Sequence, residues 1–223
     1  MVYRETDRTR ARKAAMRRRI LLAARDLIAQ GGYRSVRMAR VAEHAEVATG
    51  SIYRYFRSKS DLFTQVFQMV STHEIVVLAR AAGGRGSCRC RLEETIRTFA
   101  ENALQRPRLA YAMMAEPVDP SVEAARLRHR RAYARVFERL LEEGIATGEF
   151  PKQDPAVSAA AIVGLMAETL IGPLSKAPSR SPDAGHPSEE GEELLRAILL
   201  FTLRGVTGSP IDLPGAEEEG RGG

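Results

Sequence analysis

Residues 48–56 read ATGSIYRYF. Nine positions hold a glycine, two hydroxyl side chains, two tyrosines and an arginine, with Ile52 and Phe56 four residues apart. On a helix those two apolar residues share one face, and Thr49, Gly50, Ser51, Arg54 and Tyr55 form the outer one. A short helix anchored by apolar side chains and carrying hydrogen-bond donors outward is suited to entering a DNA groove. Whether it does so depends on its neighbours.

Immediately upstream, Ile20, Leu21, Ala24, Leu27 and Ile28 form the stripe of an amphipathic helix, and Gly31-Gly32 predicts its end. A second stripe, Met38, Val41, Ala42 and Ala45, spans two to three turns before Glu46-Val47 interrupts it. Three helices, the last two short and joined by a tight turn, make a helix-turn-helix. Downstream, Ser58 or Ser60 of RSKS is the expected N-cap of a long helix reaching about Ala82, burying Leu62, Phe63, Val66, Phe67 and Val70.

Helical patterning continues to the C-terminus and strand-like alternation is scarce. GGRGS (83–87) reads as a loop, and Pro107, Pro117, Pro120 and Pro155 punctuate helices predicted over 89–105, 107–115, 120–147 and 155–174. A Pro/Ser/Gly-rich segment (178–191) leads to a last helix at about 189–206, opening with Glu189, Glu190, Glu192 and Glu193. The expected fold class is all-α with about nine helices: residues 1–58 a helix-turn-helix domain with a basic N-terminal arm, 59–208 a helical ligand-binding and dimerisation bundle, and 209–223 a disordered tail.

Charge separates the two parts. Residues 1–70 hold 15 of the 34 Lys and Arg but only 6 of the 28 Asp and Glu, an excess of nine positive charges. The remainder is net negative. Positive charge concentrated beside a helix-turn-helix favours a polyanion, nucleic acid ahead of lipid. Arg8, Arg10, Arg12, Lys13, Arg17, Arg18 and Arg19 are expected to form an arm tracking phosphates or entering the minor groove. No continuous apolar stretch approaches a membrane span and the N-terminus lacks a secretory signal, so the expected location is cytoplasmic with no membrane partner. The four histidines are scattered, no Ser/His/Asp or Cys/His pairing stands out, and no phosphate-binding glycine loop occurs. The chain is therefore expected not to be an enzyme. Cys88 and Cys90 are too few for a zinc site, so neither metal nor cofactor is expected.

The continuous stretch RRRILLAARDLIAQGGYRSVRMARVAEHAEVATGSIYRYFRSKSDLFTQVF resembles the DNA-binding domain of TetR/AcrR-type transcriptional regulators. The resemblance rests on the I-L-x-A-A opening, G-Y before the second helix, V-A-E-x-A, G-S-I-Y-R-Y-F, and S-K-x-x-L at the fourth helix. It implies that Tyr53 and Lys59 hold phosphates. It also places Thr49, Gly50, Ser51, Arg54 and Tyr55 against base edges or backbone, with Tyr55 balanced between groove and core. Three positions depart from the family pattern. Arg37 stands where Ser or Thr is usual, so the phosphate contact implied there is of a different kind; Glu46 replaces the turn glycine, and Ala48 replaces the capping serine. Ala39 cannot hydrogen-bond, so base reading from the second helix is expected to be weak.

The resemblance further implies a small-molecule pocket in the larger part. Candidate lining residues are Phe99, Tyr111, Met113 and Met114 on middle helices, with His73 and His129; the ordinary alternative is that they are core or surface residues. Homodimerisation is expected through helices Ala156–Ile171 and Leu194–Leu203. The first carries small residues at Ala160, Gly164 and Ala167, and the second has more apolar surface than one internal face can hide. Together these predict a dimeric repressor released from a palindromic operator by an unidentified hydrophobic effector. The alternative is a regulator of the same fold that activates or answers to a protein partner without a small-molecule effector.

Overall fold

The structure, a computed structural model, describes residues 6–176 and 188–208. The segment expected to be a loop at 178–191 falls largely outside those residues, and the tail expected from 209 wholly so. Nine helices make up the described chain: α1 (Asp7–Ser35), α2 (Met38–His44), α3 (Thr49–Ile52), α4 (Lys59–Ala82), α5 (Cys88–Gln105), α6 (Pro107–Met114), α7 (Pro120–Ala146), α8 (Pro155–Lys176) and α9 (Glu189–Thr207).

Helix starts follow the capping logic of the sequence. The side chains of Thr6, Ser58, Ser87 and Ser188 accept backbone N–H groups in the first turns of α1, α4, α5 and α9, and Pro107 and Pro120 begin α6 and α7. Gly31-Gly32 does not finish α1 as expected. Gly32 instead bends it, with φ 76 and ψ 174, and one further turn continues to Ser35. The N-terminal arginines are not a loose arm either: from Asp7 onward they lie on α1, where Arg10 pairs with Asp7 at 3.2 Å.

Two apolar clusters organise the molecule. The first gathers Ile20, Leu27, Val41, Ile52, Phe56, Leu62 and Val66 from α1–α4, and is completed by Leu109 and Ala112 of α6 and Val122 and Ala125 of α7. The second joins Leu78 of α4 with α5, the rest of α7, α8 and α9, around Leu92, Ile96, Phe137, Leu141, Met166 and Leu170. Helix α4 thus belongs to both clusters, and the α6–α7 corner braces the N-terminal head from below. By length and apolarity alone α4 and α8 are each sufficient to cross a membrane, although neither holds a continuous apolar run of that length; their apolar residues contribute to the two cores.

At Gly144 a Cβ would lie 2.1 Å from the Phe150 ring, so glycine lets the 147–151 turn fold back against α7. Opposite, α8 and α9 leave an apolar surface uncovered. Val157, Leu200 and Phe201 are 65%, 46% and 68% exposed. The small-residue stripe divides: Ala160 and Gly164 face outward, whereas Ala167 is buried because it points at the interior cavity.

Candidate nucleic-acid interface and ligand cavity

The reading unit is smaller than the nine residues that suggested it. Only Thr49–Ile52 is α-helical, and Tyr53–Tyr55 tighten into i→i−3 bonds, Arg54 N–H to Ser51 O and Tyr55 N–H to Ile52 O. Ala48 offers no side-chain cap and Gly50 weakens the helix, so nothing local sustains a longer one. Ile52 and Phe56 are fully buried, as the anchoring role demands. Thr49, Gly50 and Arg54 are exposed, Ser51 is partly exposed, and Tyr53 is 53% exposed. Nothing lies within 4 Å of a Cβ built on Gly50, so that position is open toward solvent. Tyr55 packs partly buried against the head core, on the inner side of its balance.

The turn between α2 and α3 is shaped by Glu46, at φ 51 the one described non-glycine residue with positive φ. Its carbonyl accepts from the Arg19 guanidinium at 3.4 Å, and Arg17 donates to Gln65 while lying 5.7 Å from the Phe56 ring centroid. Arg17 and Arg19 therefore tether the head internally, a role hidden among seven basic residues in the sequence. Arg37 occupies the N-cap position of α2, exposed and without a capping bond from its side chain.

Lys59 sits in the first turn of α4, but its ammonium is turned inward, 4.9 Å from the Tyr33 ring centroid and 5.4 Å from that of Phe63. Burial pulls its pKa down, against the raising fields of Asp119 and Glu116. Asp119 accepts from Tyr33 Oη and from Ser60 Oγ (2.7 Å), bonds that hold its carboxyl below the usual range, while burial and then Asp119 push the Tyr33 phenol up to about 12.

Behind the head, α4–α8 enclose a cavity of about 670 Å³ including its open mouth. Of the six candidates, Phe99, Met113, Met114 and His129 line it; Tyr111 and His73 do not. Tyr111 packs against the second core instead, and His73 lies on the exposed side of α4. The wall is mostly apolar, but sequence reasoning missed Glu74, Tyr133 and Arg126. Tyr133 donates to Glu74, whose carboxyl is pushed up by burial, and His129, stacked obliquely on Phe67 at 5.2 Å, is pulled down by burial and then by Arg128. Glu74 falls on the helix face shared with Phe67 and Leu78, so a charged residue breaking an apolar stripe was the available signal. The lining residues most open to solvent are Asn102 and Arg130.

The family description for bacterial regulatory proteins of the tetR family matches residues 20–66, most of the head, and that for a tetracyclin repressor-like C-terminal domain matches residues 86–170. The chain belongs to the TetR family of transcriptional regulators. Among relatives of this TetR-family protein, the HTH-type transcriptional repressor KstR of Rhodococcus jostii (strain RHA1) is 47% identical over 58 residues, 26% of this chain and 27% of that protein. The match thus spans about a quarter of KstR's length. The fatty acid metabolism regulator protein of Bacillus subtilis (strain 168) is 25% identical over 154 residues, 68% of this chain and 79% of that one. A crystal structure of the transcriptional regulator FadR from Bacillus subtilis in complex with stearoyl-CoA superposes with a TM-score of 0.69 at 20% identity, covering 85% of this chain and 98% of that chain. At that identity the superposition speaks for the fold.

Proposed function

We propose that this TetR-family regulator is a dimeric repressor that reads a palindromic operator and is released from it by a hydrophobic, acyl-bearing effector. The observation that carries the reading is the continuity of α4, whose Leu62, Phe63 and Val66 pack in the head core with Ile52 and Phe56 while Phe67, Ser71, Glu74 and Leu78 line the cavity. Occupation of the cavity and posture of the head are thereby coupled through one helix. Thr49, Gly50, Ser51 and Arg54 supply base and backbone contacts, and Arg37, Tyr53 and Lys59 form the phosphate-facing rim, with Tyr55 held against the head core. The uncovered apolar surface of α8 and α9 is the proposed dimer interface, which places two heads on one two-fold axis. For the effector, the likeness to a fatty acid metabolism regulator, the stearoyl-CoA held by a protein of this fold, and the apolar wall opening at Arg130 support a fatty acyl thioester.

The test is a gel shift on duplexes selected from a random pool, followed by titration with stearoyl-CoA. Selection of an inverted repeat, and its release by stearoyl-CoA but not by coenzyme A alone, is the expected result. Selection without symmetry overturns the dimeric reading, and indifference to acyl thioesters of every chain length overturns the effector.

A further inference from the structure

The segment between α6 and α7 carries a contact that none of the roles above uses. Glu116 is 9% exposed, and its two carboxylate oxygens accept the backbone N–H groups of Tyr33 (2.7 Å) and Arg34 (3.1 Å), more than eighty residues earlier in the chain. Those N–H groups begin the short turn after the Gly32 bend, so no α1 carbonyl satisfies them, and a carboxylate accepting two of them makes charge-assisted bonds. Gly32 is required for the seat: a Cβ there would lie 2.8 Å and 3.0 Å from the two Glu116 oxygens, at a φ of 76 that other residues rarely adopt.

Glu116 is itself held from the cavity side. Arg126, buried on α7, donates from Nε to Met113 O (2.9 Å), from Nη2 to both Ala112 O (3.3 Å) and Glu116 O (2.8 Å), and from Nη1 to its ion-pair partner Glu123 at 2.5 Å. One guanidinium thus satisfies carbonyls at the open end of α6 and fixes the peptide that presents Glu116. Both Arg126 and Met113 line the cavity. Pro117 follows directly, with φ restricted by its ring, so the path from cavity wall to carboxylate is short and stiff.

We propose that Glu116 is a positioning residue for the DNA-reading head, that Arg126 holds it in place, and that a ligand pressing on Arg126 or Met113 withdraws the carboxylate from Tyr33 and Arg34. The withdrawal half rests on the effector reading above; the positioning half does not. A mere staple would hold the head equally with the cavity empty or filled. In the relay, Arg126 controls protection of two amides it does not touch.

The experiment measures hydrogen exchange at the Tyr33 and Arg34 amides of the full chain, alongside affinity for the selected operator. Glu116→Gln is expected to speed exchange at both amides by about tenfold or more and to weaken operator binding. Arg126→Met is expected to do the same, and the double variant to go no further than the stronger single. Protected amides in Arg126→Met, or additive effects in the double variant, overturn the relay. If Arg126→Met does not fold, Arg126→Lys, which keeps the charge but reaches fewer carbonyls, carries the same prediction with smaller size. Stearoyl-CoA, added until the thermal shift saturates, is expected to deprotect the same two amides in the unsubstituted chain. Protection unchanged with the probe bound overturns withdrawal alone. Absence of any thermal shift counts instead against the acyl effector, and the Arg126 variants still decide the positioning role.

Discussion

Lys59 stands at the mouth of the DNA face, yet its ammonium rests over Tyr33 and Phe63 and within the field of Asp119. A phosphate must draw it away from contacts each worth roughly 0.5–1 kcal/mol. Lys59→Ala is expected to weaken binding to all sequences alike and lower the slope of log affinity against log salt by about 1, while Arg54→Ala relaxes base preference. Titration over a salt series on matched and scrambled operators checks both. Glu74 gives a second prediction. Its folded pKa is raised, so its contribution to stability is full at low pH and is lost as pH rises past the ordinary glutamate value. Glu74→Gln is therefore expected to melt higher than the parent at neutral pH, with the gap closing on acidification, as differential scanning calorimetry can follow. Asp119 runs the other way: its folded pKa is depressed, so its bonds to Tyr33 and Ser60 stabilise above the ordinary aspartate range and fade in acid. The exposure of Thr49, Gly50, Tyr53 and Arg54 opposite buried Ile52 and Phe56 was legible because helical periodicity and a specific motif agree there. Glu116, Arg126 and the inward turn of Lys59 were not, since each depends on partners on other elements, for Glu116 more than eighty residues away.

Among the elements, boundaries followed local chemistry where a cap or proline was present. Ser58, Ser87, Pro107, Pro120 and Pro155 all mark starts foreseen to within a residue or so. They failed where geometry is negotiated between elements: α3 is one turn instead of two, and α1 passes through its glycine pair with a bend set by Glu116. Ser58→Ala is expected to cost about 1 kcal/mol through loss of the bond from Asp61 N–H, read by urea denaturation. Gly144→Ala places a methyl against the Phe150 ring and is expected to cost about 1–3 kcal/mol, without altering base preference.

For the whole molecule, the all-α class and helix order were readable from periodicity, whereas the cavity was not. Its wall draws on five helices, and only their packing shows that Phe99, Met113, Met114 and His129 converge while His73 and Tyr111 turn away. The proposed dimer face belongs to this scale too. Phe201→Glu puts a charge in the middle of the uncovered α8–α9 surface and is expected to yield a folded monomer by sedimentation, with operator affinity lowered by about two orders of magnitude as the two heads cease to bind as one unit.

The unbroken run of α4 has a mechanical consequence. From Leu78 to Lys59 the helix runs about 28 Å at 1.5 Å per residue, so a pivot of about 5° near Leu78 sweeps that tip through about 2.5 Å. Two such tips diverging in a symmetric pair would separate by about 5 Å, a sizeable fraction of the roughly 34 Å between successive major grooves on one side of the duplex. On the proposed release mechanism, an adjustment no larger than the width of a methylene group at the cavity wall would thereby be amplified into a loss of pitch-matching with DNA.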